Sequence, residues 1–277
     1  MTQTKPRLPA IYLPHGGGPW PWMAPSFGLT DAEKRDLTAY LAEILSTLPR
    51  RPRAMVVVSA HWEEPVATVM TSPRPPLLFD YSGFPPETYR IAWPAPGEPQ
   101  LAARVRALLE ASGFPTAADP DRGFDHGTFV PMKLTFPDAD VPAIQLSLLE
   151  GLDPGRHLAL GRALAPLRDE DVLLVGSGMS FHNMRDFGSR APLEARGARS
   201  APFDDWLGRV VVADVAARDA ELARWAQAPG ARASHPREEH LLPLMVIAGA
   251  AGDDRGRVAF QGTYGGFHVS AVHFGAA

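Results

Sequence analysis

Short, unbroken apolar runs alternate with longer amphipathic stretches along most of this chain. The densest run is residues 54–62, AMVVVSAHW, in which Met55, Val56, Val57 and Val58 are too few for a helix of their own and suit a strand buried on both faces of a parallel sheet. Residues 9–14 (PAIYLP), 141–148 (VPAIQLSL) and 171–176 (DVLLVG) share that character, and 66–70 reads as a shorter strand. Residues 257–262 and 267–274 finish the chain as strands, the last with half-buried alternation. The stretches between carry helix signals. Thr30-Asp31-Ala32-Glu33 is a capping box opening a helix to about Leu48, where Pro49 and Pro52 stop it. Pro99 starts a helix closed by Gly113, and Asp153 with Pro154 caps another that runs to about Arg168. Residues 201–227 read as helical, and Ser234-His235-Pro236 opens a last helix with Glu238, Glu239 and His240 in its first turn.

Three segments stand apart from this alternation. Residues 72–99 form a long, Pro-rich, aromatic loop that suits either a binding lid or a structural wrap. Residues 122–128 (RGFDHGT) hold His126 in a tight, Gly-flanked turn, and residues 187–200 read as loop. No internal repeat or linker divides the chain. The expectation is an α/β fold: a single catalytic domain over residues 1–277, with a central, mostly parallel or mixed β-sheet and helices on both faces.

Composition narrows the chemistry. A net charge of −4 over 277 residues offers no clustered cationic surface for nucleic acid or anionic membrane, so a small-molecule partner is expected, with no nucleic acid and no membrane. The longest apolar run, residues 241–252, is too short to span a bilayer, and the N-terminal stretch lacks a signal-peptide pattern, so a cytoplasmic protein is expected. Oligomeric state is not fixed by the sequence, and a homo-oligomer is compatible with it. Cysteine is absent, which rules out disulfides, thiolate catalysis and Cys-ligated metal; any metal must be held by His, carboxylate or water.

Attention therefore falls on histidine, of which there are nine. His15, His61 and His182 each follow an apolar strand, His126 sits between glycines, and His240 follows two acidic residues. Taken singly, each is most simply a hydrogen-bonded structural histidine. If the strands are parallel, however, their C-terminal ends share one edge of the sheet, where ligands bind in open α/β folds, and imidazoles there can converge on one metal. His157, His235, His268 and His273 lack such settings and read as structural or surface residues. The glycine cluster after His15 (Gly16-Gly17-Gly18) also occurs as an oxyanion loop in lipases, but the G-x-S-x-G nucleophile elbow that this reading needs is missing.

His15 in its Gly-rich turn, S-A-H-W at 59–62, G-F-D-H-G at 123–127, His182-Asn183, and E-H-x-L-P-L at 239–244 together resemble the DOPA 4,5-dioxygenase-like branch of the class III extradiol ring-cleaving dioxygenases. That superfamily also holds the catalytic subunit of protocatechuate 4,5-dioxygenase. The resemblance implies His15, His61 and His240 as metal ligands, His182 as a catalytic acid/base or a further ligand, and His126 as a catalytic residue orienting the substrate. It also implies Fe(II) for activity, Zn(II) being compatible with the isolated protein, and a small aromatic diol and O2 as partners. Many relatives carry Gly-Ser-Pro after the first histidine where this chain has Gly16-Gly17-Gly18-Pro19. Others use two His and a Glu, which leaves Glu239 and His240 as alternatives for the third ligand.

The residue types suit that chemistry. A catechol presents two vicinal oxygens to a divalent metal, dioxygen needs a neighbouring free position, and a near-neutral imidazole can accept a catechol proton. The function expected is extradiol cleavage of a catechol-type ring. A zinc hydrolase is the second reading, because imidazole sites also activate water on zinc. A metal-binding interaction protein of the Memo type, which resembles the same superfamily, is the third.

Overall fold

The computed structural model describes residues 6–24 and 28–275. Eight strands form one mixed sheet: β1 (Ala10–Pro14), β2 (Ala54–Glu64), β3 (Ala67–Met70), β4 (Thr116–Asp119), β5 (Ala143–Leu149), β6 (Val172–Gly178), β7 (Gly256–Tyr264) and β8 (Phe267–Phe274), in the order β4-β3-β5-β2-β6-β1-β8-β7. The centre, β5-β2-β6-β1, is parallel, and β8 and β7 add antiparallel strands at one edge. β1, β5 and β6 are buried at every position, the signature of strands covered on both faces. The unbroken apolar runs of the sequence are these strands. β4 (TAAD), short and weakly apolar, was not expected.

The helices among the described residues are α1 (Asp31–Thr47), α2 (Pro99–Ala111), α3 (His126–Thr135), α4 (Pro154–Leu164), α5 (Met184–Phe187), α6 (Leu193–Val211), α7 (Val215–Ala223), α8 (Ala231–Ser234) and α9 (Leu242–Ala251). The capping box at α1 is present with both of its bonds, Thr30 Oγ1 accepting from Glu33 N and Glu33 Oε2 from Thr30 N. Alternation along β6 separates the two faces. Gly176 and Gly178 point at the α9 side, where a Cβ on Gly178 would stand 2.1 Å from His240 O, while Ser177 between them bonds Gly127 O of α3 on the other side.

Four local expectations are corrected. His126 is not in a turn; it is the first residue of α3, whose start is capped by the Asp125 carboxylate accepting from Thr128 N. Gly127 and Pro131 hide this helix in the sequence because both disfavour helix interiors. Residues 187–200 are not all loop, since α6 begins at Leu193, steadied by Arg196, whose guanidinium donates to the carbonyls of Ser189, Ala191 and Gly265. Finally, Glu239 and His240 lie in a turn ahead of α9, which begins only at Leu242. The helix over 201–227 is likewise divided, with Asp214 capping α7.

Candidate metal centre and substrate cavity

His15 is the residue after β1, and its N–H continues the parallel ladder to Gly178 O at 3.0 Å. β2 loses its β6 neighbour after the rung Ser59↔Ser177, and its register with β5 shifts between Val58 and Glu63. His61 stands in that opening, within the strand and not at its end. Gly127 lets α3 approach the same place: a Cβ there would lie 2.8 Å from Ser59 Oγ and 2.9 Å from His61 Cδ2. From the opposite face of the sheet comes the turn of His240, whose carbonyl accepts from Met179 N and from the Tyr12 hydroxyl. His182 follows β6 and bonds Ser234 O through its own N–H.

The five imidazoles meet as the strand geometry requires. Ring centroids of His15, His61 and His240 form a near-equilateral triangle with sides of 4.9, 5.1 and 4.9 Å. His126 lies 4.1 Å from His61, and His182 stacks on His240 at 3.4 Å with an interplanar angle of 17°. Measured by ligand atoms, two tighter groups appear, His15–His61–His126 and His182–Glu239–His240, each within 4.8 Å. The triangle of ring centroids therefore bridges the two groups.

Hydrogen-bond partners fix where the protons sit. The Ser177 hydroxyl donates to Gly127 O, so its oxygen accepts from His15 Nδ1 at 3.0 Å. His15 Nε2 then carries no proton and accepts from His61 Nε2 at 3.0 Å. Glu239 Oε1 accepts from His240 Nδ1 at 2.9 Å and from His182 Nδ1 at 3.0 Å, which leaves His240 Nε2 bare as well. Asp80 Oδ1 accepts from both the backbone N–H and Nδ1 of His126, while Asp80 Oδ2 lies 3.7 Å from His61 Nδ1. Four of the five rings, all but His61, thus bond an oxygen at Nδ1, an arrangement that orients imidazole toward a metal.

Charge follows burial. Burial holds His15 and His240 far below the usual imidazole range, with neighbouring imidazoles adding to the effect, and takes His61 down to about 4. These rings are neutral at pH 7. Burial pushes the Asp80 carboxyl up, but the hydrogen bond and charge of His126 outweigh it and keep Asp80 below the usual carboxylate range. Glu239 behaves alike, burial being outweighed by its bond from His182 and the charges of His182 and Arg237. A second layer stands behind. Fully buried Asp125 accepts from Ser59 Oγ, Gln145 Nε2 and Arg122, and Arg122 reaches His61 O at 3.3 Å.

The imidazoles open onto a cavity of about 270 Å3. Its other walls are residues 16–18 and five large side chains, Phe84, Met179, Met184, Phe187 and Tyr264. The loop of residues 72–99 brings in Phe84 and Asp80, and it also buries Trp93 in the core.

All five histidines singled out in the sequence come together here. His157, His235 and His273 are buried and bonded elsewhere, as expected of structural residues, and His268 is half-buried. Sequence reasoning missed Ser177, Asp80, Asp125 and Tyr264. Only Asp125 carried a signal, an Asp three residues before Thr128 at a helix start.

A donor set of convergent, neutral imidazoles with bare Nε2 atoms and oxygen acceptors behind them fits a divalent transition metal of the imidazole-preferring kind.

Comparisons with known proteins agree in direction. The family model described as the catalytic LigB subunit of aromatic ring-opening dioxygenase matches residues 9–274. Dioxygenase tasH of Hapsidospora irregularis is 39% identical, the match covering 97% of this chain and 86% of that protein. The 4,5-DOPA dioxygenase extradiol of Escherichia coli K12 is 34% identical over 88% of this chain and 85% of its own length. The crystal structure of an uncharacterised E. coli K12 protein superposes with a TM-score of 0.77 at 31% identity, covering 96% of this chain and 99% of that one.

Proposed function

The chain belongs to the family of the catalytic LigB subunit of aromatic ring-opening dioxygenases, and on that premise we propose that it is a non-haem Fe(II) extradiol dioxygenase opening the ring of a catechol beside its vicinal hydroxyls. Its partners are then a small aromatic diol and O2, and it works in the cytoplasm. The observation that carries the reading is the pair of bare Nε2 atoms on His15 and His240, each created by an oxygen on the other side of its ring.

His15, His61 and His240 would hold the metal. Ferrous iron there would supply Lewis acidity toward the two catechol oxygens and the redox chemistry that O2 insertion requires. Ser177 and Glu239 orient the rings of His15 and His240 and draw their protons to Nδ1, while Asp80 Oδ2 faces His61 Nδ1 at 3.7 Å. Glu239 thus backs His240 and does not compete with it, and its ionised carboxylate returns negative charge near three neutral ligands. His182, bonded to the same carboxylate, takes the catechol proton at its Nε2 while Glu239 stabilises the imidazolium that forms. His126, oriented by Asp80, directs its Nε2 to the substrate oxygen. Met179, Phe187 and Phe84 surround the ring and exclude water.

Neither alternative gains an observation. A lipase-type oxyanion loop would need free amides in the glycine cluster, and Gly16 N and Gly17 N already donate to Met179 Sδ and Tyr264 Oη, while a zinc hydrolase differs from a dioxygenase in its independence of oxygen. The test is anaerobic reconstitution with ferrous iron, then catechol and air. O2 uptake with a yellow ring-opened product is the expected result, and O2-independent hydrolysis by the zinc form would overturn the reading.

A further inference from the structure

The cavity wall also bears on which catechol enters. We propose, resting on the ring-opening reading above, that the cavity selects catechols whose ring substituent carries no charge.

Among the described residues, no Lys or Arg lines the cavity. Phe84, Met179, Met184 and Phe187 present carbon and sulfur, which cannot solvate an anion. The glycine cluster is not an anion cradle, because Gly16 N donates to Met179 Sδ and Gly17 N to Tyr264 Oη at 3.0 Å. Tyr264 contributes a neutral hydroxyl: burial lifts it to about 12, so it keeps its proton, and that proton has no acceptor among the described residues. Such a group suits a neutral oxygen on the substrate. Asp80 and Glu239, bonded to the imidazoles, are both carboxylates and repel a further negative charge, and Arg122, which reaches His61 O, is already paired with Asp125 at 2.8 Å. The neighbouring groove does hold Arg185 and Arg237, but Arg237 is bound to Glu63 at 2.5 and 2.6 Å and to Glu239 at 3.5 Å. Among the described residues, Arg185 is the one cation of that groove without a bonded carboxylate.

A matched pair isolates the charge. 3,4-Dihydroxybenzamide and 3,4-dihydroxybenzoate have nearly the same shape and both withdraw electrons from the ring, yet only the second is anionic at pH 7. Calorimetry on the zinc-loaded protein reads binding, and O2 uptake by the iron-loaded protein reads turnover. The amide is expected to bind about 100-fold more tightly and to have the higher kcat/KM, since the acid leaves a charge without a partner in an apolar cavity. Met184→Arg, at a position 60% exposed and hence tolerant of change, should shrink that preference about 5-fold by supplying a partly solvated cation. Equal or tighter binding of the acid overturns the inference, as does an acid preference that disappears in Arg185→Gln, which would place selection on that cation. Binding of neither compound overturns it too. If calorimetry favours the amide but no catechol supports O2 uptake with iron bound, the ring-opening reading falls while selection by charge stands.

Discussion

Four of the five imidazoles of the site are each bonded to an oxygen at Nδ1, and the roles of the rings differ, so single substitutions separate holding a metal from using it. His15→Ala and His61→Ala are each expected to reduce iron content to background, because a small open site loses affinity and geometry together when one of three ligands goes; full metal occupancy in either variant would refute the assignment. His126→Phe should retain metal and lower turnover, since Asp80 holds His126 Nδ1 at 2.8 Å and only Nε2 is left for substrate. Loss of metal in His126→Phe would instead make the tight His15–His61–His126 group the ligand set. For His182→Ala the expectation is unchanged iron with a rate lower by about 10²–10⁴-fold and one ionisation missing from the pH profile, the mark of a lost proton acceptor. A variant that turns over at the wild-type rate across pH would end that role.

At the scale of the elements, the placement of His240 depends on a glycine in β6. A Cβ at position 178 would stand 2.1 Å from His240 O, a backbone atom that no rotamer change can move. Gly178→Ala should therefore shift the turn, cost about 1–3 kcal/mol of stability as overpacking does, and weaken metal binding, measured by urea unfolding and metal titration together. α9 is held from its other end by buried arginines, Arg168 donating to Ala250 O and Ala251 O, and Arg218 to Ala248 O and Gly252 O. Most of this frame was legible in the sequence. Residues 54–58 and 171–176 read as buried parallel strands and are such, and the bonded capping box at Thr30 marked α1. What stayed hidden depends on contacts between distant segments. Asp80 means nothing until its loop folds over α3, and Ser177 looks like any small strand residue until its hydroxyl donates to Gly127 O. α3 and the start of α6 were obscured because Pro131 and Pro202 stand inside helices that packing and side-chain bonds secure.

Across the whole molecule, buried neutral histidines set an acid limit that owes nothing to the metal centre. His157 Nε2 accepts from Leu149 N while its Nδ1 donates to Asp153 O, so only the neutral ring fits, and burial lowers it to about 4; burial likewise takes His273 to about 3. Above pH 6.5 neither folded nor unfolded chain protonates these rings and they are neutral in the balance. As pH falls from 6.5 towards 4, only the unfolded chain takes up the proton, and stability drops, by up to roughly 3 kcal/mol from His157 alone. Metal-free protein should show this slope in urea midpoints between pH 7 and 4, and His157→Gln should flatten it; a flat profile in the parent would refute the assignment. The ligand set has its own consequence at this scale. His15 leaves the first strand of the sheet and His240 precedes the last helix, so a metal between them acts as a removable cross-link tying the two ends of the chain around the parallel core. Hydrogen exchange should then slow in β1 and in α9 together when metal is added, and quicken in both together when a chelator removes it.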